Sequence, residues 1–151
     1  MTTKNVYGAG GFFNDSQNEL LAKAVEKLKQ NTTVGEIYLP EMHQAVGEFG
    51  SLEWKIQTYN ADIVAIQNSD VVVATITDDS PDSGTIWEIG YAIGIGKPVV
   101  LFTNSEKTNL MLAQSIQLFI PKNKSLVNHA VDLETVDFNH MPTNLWISEV
   151  E

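Results

Sequence analysis

Asp70-Val71-Val72-Val73-Ala74-Thr75-Ile76-Thr77 is a continuous, β-branched run with no charge after its first residue. A strand of this kind is covered on both faces, as at the centre of a parallel sheet. Working outward from it, the loop Asp78–Gly84 (DDSPDSG) opens a helix over Thr85–Ile95. A strand at Lys97–Thr103 follows, then a helix at Thr108–Gln117 and a short strand at Leu118–Ile120, stopped by Pro121. A last helix near Ser125–Leu133 precedes a polar-aromatic tail.

On the amino-terminal side, Ile56, Tyr59, Ile63 and Ile66 recur at helical spacing and predict a helix over Ser51–Asn68. Glu41–Gly50 reads as a loop, and Glu36–Pro40 as a strand that its proline ends. Leu20, Leu21, Ala24, Val25 and Leu28 predict a helix over Asp15–Gln30. Before it, the strand Asn5–Gly8 runs into a glycine turn, Gly8–Gly11. Strand and helix in alternation mean right-handed crossovers. The expected fold is α/β: one doubly wound domain over residues 1–151, with five mostly parallel strands and helices on both faces (flavodoxin-like or Rossmann-like). In such sheets ligands bind beyond the carboxyl ends of the strands, where strand order reverses. The loops Tyr7–Phe13 and Asp78–Gly84 stand there.

Composition narrows the chemistry. The chain has 151 residues, 9 basic against 19 acidic, and no cysteine, which excludes disulfides, thiolate metal sites and cysteine nucleophiles. All nine basic residues are lysines; arginine is absent. Without the usual bidentate phosphate binder, and with a net charge of −10, nucleic-acid polymers are poor partners and a neutral ligand is expected. No apolar run is long enough to span a bilayer, and Met1–Asn5 does not read as a signal peptide, so a cytoplasmic location is expected. Neither G-x-G-x-x-G nor a P-loop occurs: started at Gly8, the former would need glycine where Phe13 stands. The three histidines lack metal-ligand spacing, so no cofactor or metal is expected.

Glu88 is the only charge in SGTIWEIGYAIGIG, Ser83–Gly96. A carboxylate buried there without partners costs several kcal/mol, unless it simply reaches solvent. It lies about one turn into its helix, whose amino terminus is expected to help keep it ionised. Asp62, the sole charge between Lys55 and Asp70, sits beside the apolar stripe of its own helix. Asp82 precedes a helix and reads either as a cap or as a third acid. Gly10 brings backbone near a ligand, and Phe12 and Phe13 after it suit a planar ring. Paired carboxylates with aromatics and no phosphate clamp suggest glycosyl chemistry on an uncharged sugar.

With these residues in view, the sequence resembles the nucleoside 2-deoxyribosyltransferases. The likeness runs from Val6 to about Asn139 through VYGAGGFFNDSQN, TYNADI, PDSGTIWEIGYA, KPVVL, TNLMLAQ and DFN in order. It implies that Glu88 attacks C1′ of a 2′-deoxynucleoside, expels the base and forms a deoxyribosyl ester, which a second free nucleobase then attacks from the same face. It implies that Asp62 and Asp82 contact the base and manage its proton, and that Tyr7 holds the nucleophile. Phe12, Phe13 and Trp87 are expected to wall off water. Asn109 and Met111 would reach the sugar of a neighbouring subunit, in a homohexamer built as a trimer of dimers.

Three departures from the family bear on the site. Glu41–Gly50 is shorter than the corresponding loop in some relatives, and the tail ends in Val150-Glu151 where relatives often end in tyrosine. Gly11 stands where some members carry tryptophan, which is expected to widen the pocket. The competing readings are a 2′-deoxynucleoside 5′-monophosphate N-glycosidase on the same scaffold, disfavoured by the missing arginines, and a non-catalytic nucleoside-binding module.

Overall fold

The computed structural model describes residues 2–151. Five strands, β1 (Lys4–Gly10), β2 (Val34–Tyr38), β3 (Val71–Ile76), β4 (Val99–Thr103) and β5 (Leu118–Pro121), form one sheet in the order β2-β1-β3-β4-β5. Every neighbouring pair is parallel. The four α-helices are α1 (Asp15–Gln30), α2 (Leu52–Asn68), α3 (Ser83–Gly94) and α4 (Leu110–Ser115).

All six residues of β3 are buried, as its β-branched run requires. Alternate side chains go to opposite faces. Val72 and Ala74 join Ile66 of α2, Ile89 and Ala92 of α3 and Ala113 of α4 in one core layer. Val71 and Val73 join Ala24 and Leu28 of α1 in the other. The chain leaves β1 toward β2 and then crosses back to β3 on the far side of β1. Strand order therefore reverses between β1 and β3, and a crevice opens at their carboxyl ends.

Local chemistry explains where the helices start. Asn14 caps α1 by accepting from the Gln17 N–H at 2.9 Å, and Ser51 caps α2 by accepting from the Trp54 N–H at 3.2 Å. Among the described residues no helix is long and apolar enough to cross a membrane.

Two expectations need correction, and the stripe on α2 finds its place. The glycines after Tyr7 are strand rather than turn, since Gly8, Ala9 and Gly10 pair with Val73, Ala74 and Thr75. They are small because space is short: a Cβ on Gly8 would lie 2.6 Å from Leu39 Cδ2, and one on Gly10 would run into Thr75 Oγ1. The stripe on α2 does not face the core, because only Ile66 is buried while Ile56 and Tyr59 are 52% and 54% exposed. The helix expected near Ser125–Leu133 is a single 3₁₀ turn, Lys124–Leu126, followed by irregular chain. Buried asparagines take over there, Asn31 Nδ2 donating to the Leu133 and Val136 carbonyls at 2.9 and 2.8 Å and Asn144 Nδ2 to that of His129 at 2.9 Å. With carbonyls satisfied by side chains, the segment can lie across the sheet and bury Leu133, Val136 and Phe138 without helical spacing.

Candidate active site

The crevice between β1 and β3 deepens into a cavity of about 580 Å³. Its polar groups include the carboxylates of Asp62, Asp82 and Glu88, each from a different origin: mid-α2, the loop after β3, and α3. Phe12, Phe13 and Trp87 form part of the wall, with the Gly10 backbone at the base. The rings of Phe12 and Phe13 stack at 4.7 Å, and Trp87 stacks on Tyr91 at 5.6 Å. Tyr7, fully buried on β1, donates its hydroxyl proton to Glu88 Oε2.

Asp82 caps α3 and also lines the cavity. Its Oδ2 accepts from the Thr85 N–H at 2.8 Å and from Thr85 Oγ1 at 2.7 Å. Thr85 is buried beneath it, so the cap fixes where the carboxylate stands.

Burial governs the electrostatics. The Glu88 carboxyl is pushed up to about 7, burial being the largest cause, with the Tyr7 hydrogen bond acting against it and the charges of Asp62 and Asp82 adding to it. This corrects the expectation that the helix keeps Glu88 ionised. Glu88 is the sixth residue of α3, beyond the first turn where the helix dipole acts. Burial also raises Asp62 to about 6. Tyr7 is held far above the ordinary phenol range by burial and then by Glu88, so it remains a proton donor.

Sequence reading missed part of the wall. Phe49, Trp54 and Tyr59 line the cavity, as do Pro40 and Gln44 from the stretch after β2. Their signal was available: an amide and aromatics in and beside a loop that follows a strand next to the switch point. The expected effect of Gly11 is not what the geometry gives. Gly11 is not on the cavity wall, and a side chain built there would meet the Gln17 carboxamide at 2.5 to 2.9 Å.

Asn109 and Met111 are not brought to the cavity of their own chain. Asn109 caps α4, accepting from the Met111 N–H at 2.8 Å, and the Met111 side chain projects into solvent, 74% exposed. The tail docks beside them: Glu151 N–H donates to the Thr108 carbonyl at 3.0 Å, and Glu151 O accepts from the Leu110 N–H at 3.2 Å. Among the described residues no group of three or more histidine or acidic side chains is arranged to hold a metal ion.

Comparison with known proteins leads to the same place. Residues 6–145 match the family model described as nucleoside 2-deoxyribosyltransferase. The nucleoside deoxyribosyltransferase of Limosilactobacillus fermentum is 37% identical over 150 residues, covering 89% of this chain and 86% of its own. That of Lactobacillus leichmannii is 32% identical over 116 residues, covering 70% of this chain and 74% of its own. Among solved structures, the 2-deoxyribosyltransferase of Bacillus psychrosaccharolyticus superposes with a TM-score of 0.81 at 29% identity, over 95% of this chain and 99% of that one. A match that runs from the first strand into the tail is too long to come from the shared fold alone, and the chain belongs to the nucleoside 2-deoxyribosyltransferase family.

Proposed function

We propose that the protein moves the 2-deoxyribosyl group from a 2′-deoxynucleoside to a free purine or pyrimidine base, through an ester on Glu88. A Glu88 oxygen attacks C1′ as the C1′–N bond breaks. The bond's electron pair leaves with the base, which takes a proton from the carboxyl cluster. An incoming base then bonds to C1′ through its own nitrogen, the C1′–O bond to Glu88 breaks, and its proton returns to the cluster. Two inversions give retention. Tyr7 holds Glu88 and steadies its charge. Asp62, raised to about 6, is the group able both to carry and to release a proton near neutral pH.

The observation that carries this reading is the buried Glu88, hydrogen-bonded to Tyr7 and sharing an aromatic cavity with two further carboxylates. The cavity volume suits a small organic ligand. No lysine lines it and the chain has no arginine, which favours an uncharged nucleoside over a monophosphate. The exposed Asn109, Met111 and docked tail support a site completed by a neighbouring copy in a hexamer, and the cytoplasm is the expected location.

Incubation with thymidine and adenine in phosphate-free buffer tests the reading. Deoxyadenosine should appear together with thymine; if thymidine is inert, deoxyinosine as donor tests a purine-restricted enzyme. Glu88→Ala should lower the transfer rate by at least about three orders of magnitude. Free base without transfer would mean a hydrolase, and binding of both donors without turnover a binding module.

A further inference from the structure

Gln17 touches neither the cavity nor a carboxylate, yet it is a polar side chain only 7% exposed, in the first turn of α1. Its Oε1 accepts from the Phe13 N–H at 3.0 Å and its Nε2 donates to the Ser80 carbonyl at 2.7 Å. One carboxamide thus joins the loop that carries Phe12 and Phe13 to the loop that carries Asp82. Gly11 leaves room for it: a Cβ at that position would meet Oε1, Cδ and Nε2 of Gln17 at 2.5 to 2.9 Å. Two more bonds tie the same elements, Asn14 Nδ2 to Ser80 Oγ at 3.0 Å and Ser16 Oγ to Asp79 Oδ1 at 2.8 Å, but both lie at the exposed surface where water competes.

We propose that Gln17 is a positioning residue that holds these two loops in register, and so decides whether the sugar ester on Glu88 passes to a base or is lost to water. This rests on the transfer reaction proposed above. In both outcomes the C1′–O bond to Glu88 breaks. In transfer a base nitrogen takes its place at C1′. In hydrolysis the oxygen of water does, releasing deoxyribose and a proton to solvent and restoring the Glu88 carboxylate. What separates the outcomes is whether the Phe12–Phe13 wall excludes water while Asp82 stays aligned with the base. Both depend on loops that the same carboxamide holds, and misplacement by an ångström is enough to change such a partition.

The test is the ratio of free deoxyribose to deoxyadenosine formed from thymidine and adenine. The ratio does not depend on how much enzyme is folded, so a loss of stability alone leaves it unchanged. Gln17→Met, of similar length and without hydrogen bonds, should raise the ratio at least about tenfold. Gln17→Glu keeps an acceptor for the Phe13 N–H, loses the donor to Ser80, and should raise it by less. Ser16→Ala, which removes a surface bond, should leave the ratio as in the wild type. If Gln17→Met does not fold, the ratio from Gln17→Glu decides. An unchanged ratio in the folded Gln17 variant overturns the proposal while leaving the transferase reading intact. A wild-type enzyme that forms no deoxyadenosine from either donor overturns both.

Discussion

Glu88 is under two opposed demands. As a nucleophile it must be ionised, yet its surroundings favour the protonated acid and push it up to about 7. The reactive form carries one proton on the cluster and none on Glu88, so kcat/KM should rise as the first proton leaves, within the region of about 6 to about 7. It should fall again at higher pH as the carboxyl cluster loses the proton that the leaving base needs, and both apparent values belong to the cluster. Two substitutions should move the acid limb in opposite directions. Tyr7→Phe removes the hydrogen bond that lowers Glu88, so the limb shifts to higher pH and kcat/KM drops about 10- to 100-fold. Asp62→Asn removes a charge that raises Glu88, so the limb of the residual activity shifts to lower pH. Stability follows the same residue. Between the ordinary glutamate range and about 7 the folded protein holds a proton that the unfolded chain has released, so this residue's contribution falls as pH rises through that window. Glu88→Gln should accordingly be the more stable protein at pH 8, on the order of 1–3 kcal/mol, with the difference gone at pH 4. Thermal melting at the two values checks it. The lone charge in SGTIWEIGYAIGIG was legible as a misplaced carboxylate, but its protonation was not. That depends on depth and on neighbours separated from it in sequence.

At the scale of elements, α1 and β3 could be read almost to the residue, because helical spacing in one and unbroken β-branching in the other leave few alternatives. The chain after β5 could not. Its conformation hangs on single buried amides that bond across the molecule, and sequence periodicity carries no trace of them. Asn144 shows the size of the effect. It accepts from the Phe119 N–H at 2.7 Å and donates to the Phe119 and His129 carbonyls, both at 2.9 Å, fastening the tail to β5. Asn144→Ala leaves these groups buried and unpaired and should cost about 2–4 kcal/mol, read from the midpoint of urea unfolding. Asn109, although an asparagine cap on a neighbouring element, is exposed and should cost far less. If it serves a neighbouring copy's site as proposed, Asn109→Ala should lower activity instead.

At the scale of the whole molecule, apolar side chains accumulate where one copy has nothing to cover them. Leu145 and Ile147 of the tail are 58% and 60% exposed, close in sequence to the docked terminus, and the rim of the cavity is aromatic and open. Light scattering should give a mass six times the 16.7 kDa of one chain, and a mass of 16.7 kDa would overturn the hexamer. A shared site makes a sharper demand. Glu88→Gln and Asn109→Ala, both impaired alone, should regain activity when co-expressed, because a mixed pair contains one cavity with both native residues. Activity no higher than the average of the parents would confine the site to one chain. The fold class and the crevice were determined by the sequence itself, which also singled out Glu88 and Asp62 as charges out of place, since hydrophobic periodicity and misplaced charge are local properties. Only the tertiary structure decided that the three carboxylates share one cavity with Phe49, Trp54 and Gln44, that Gln17 ties its two loops together, and that burial raises Glu88. Those outcomes depend on which distant residues meet and how much water they exclude, and chain order does not record either.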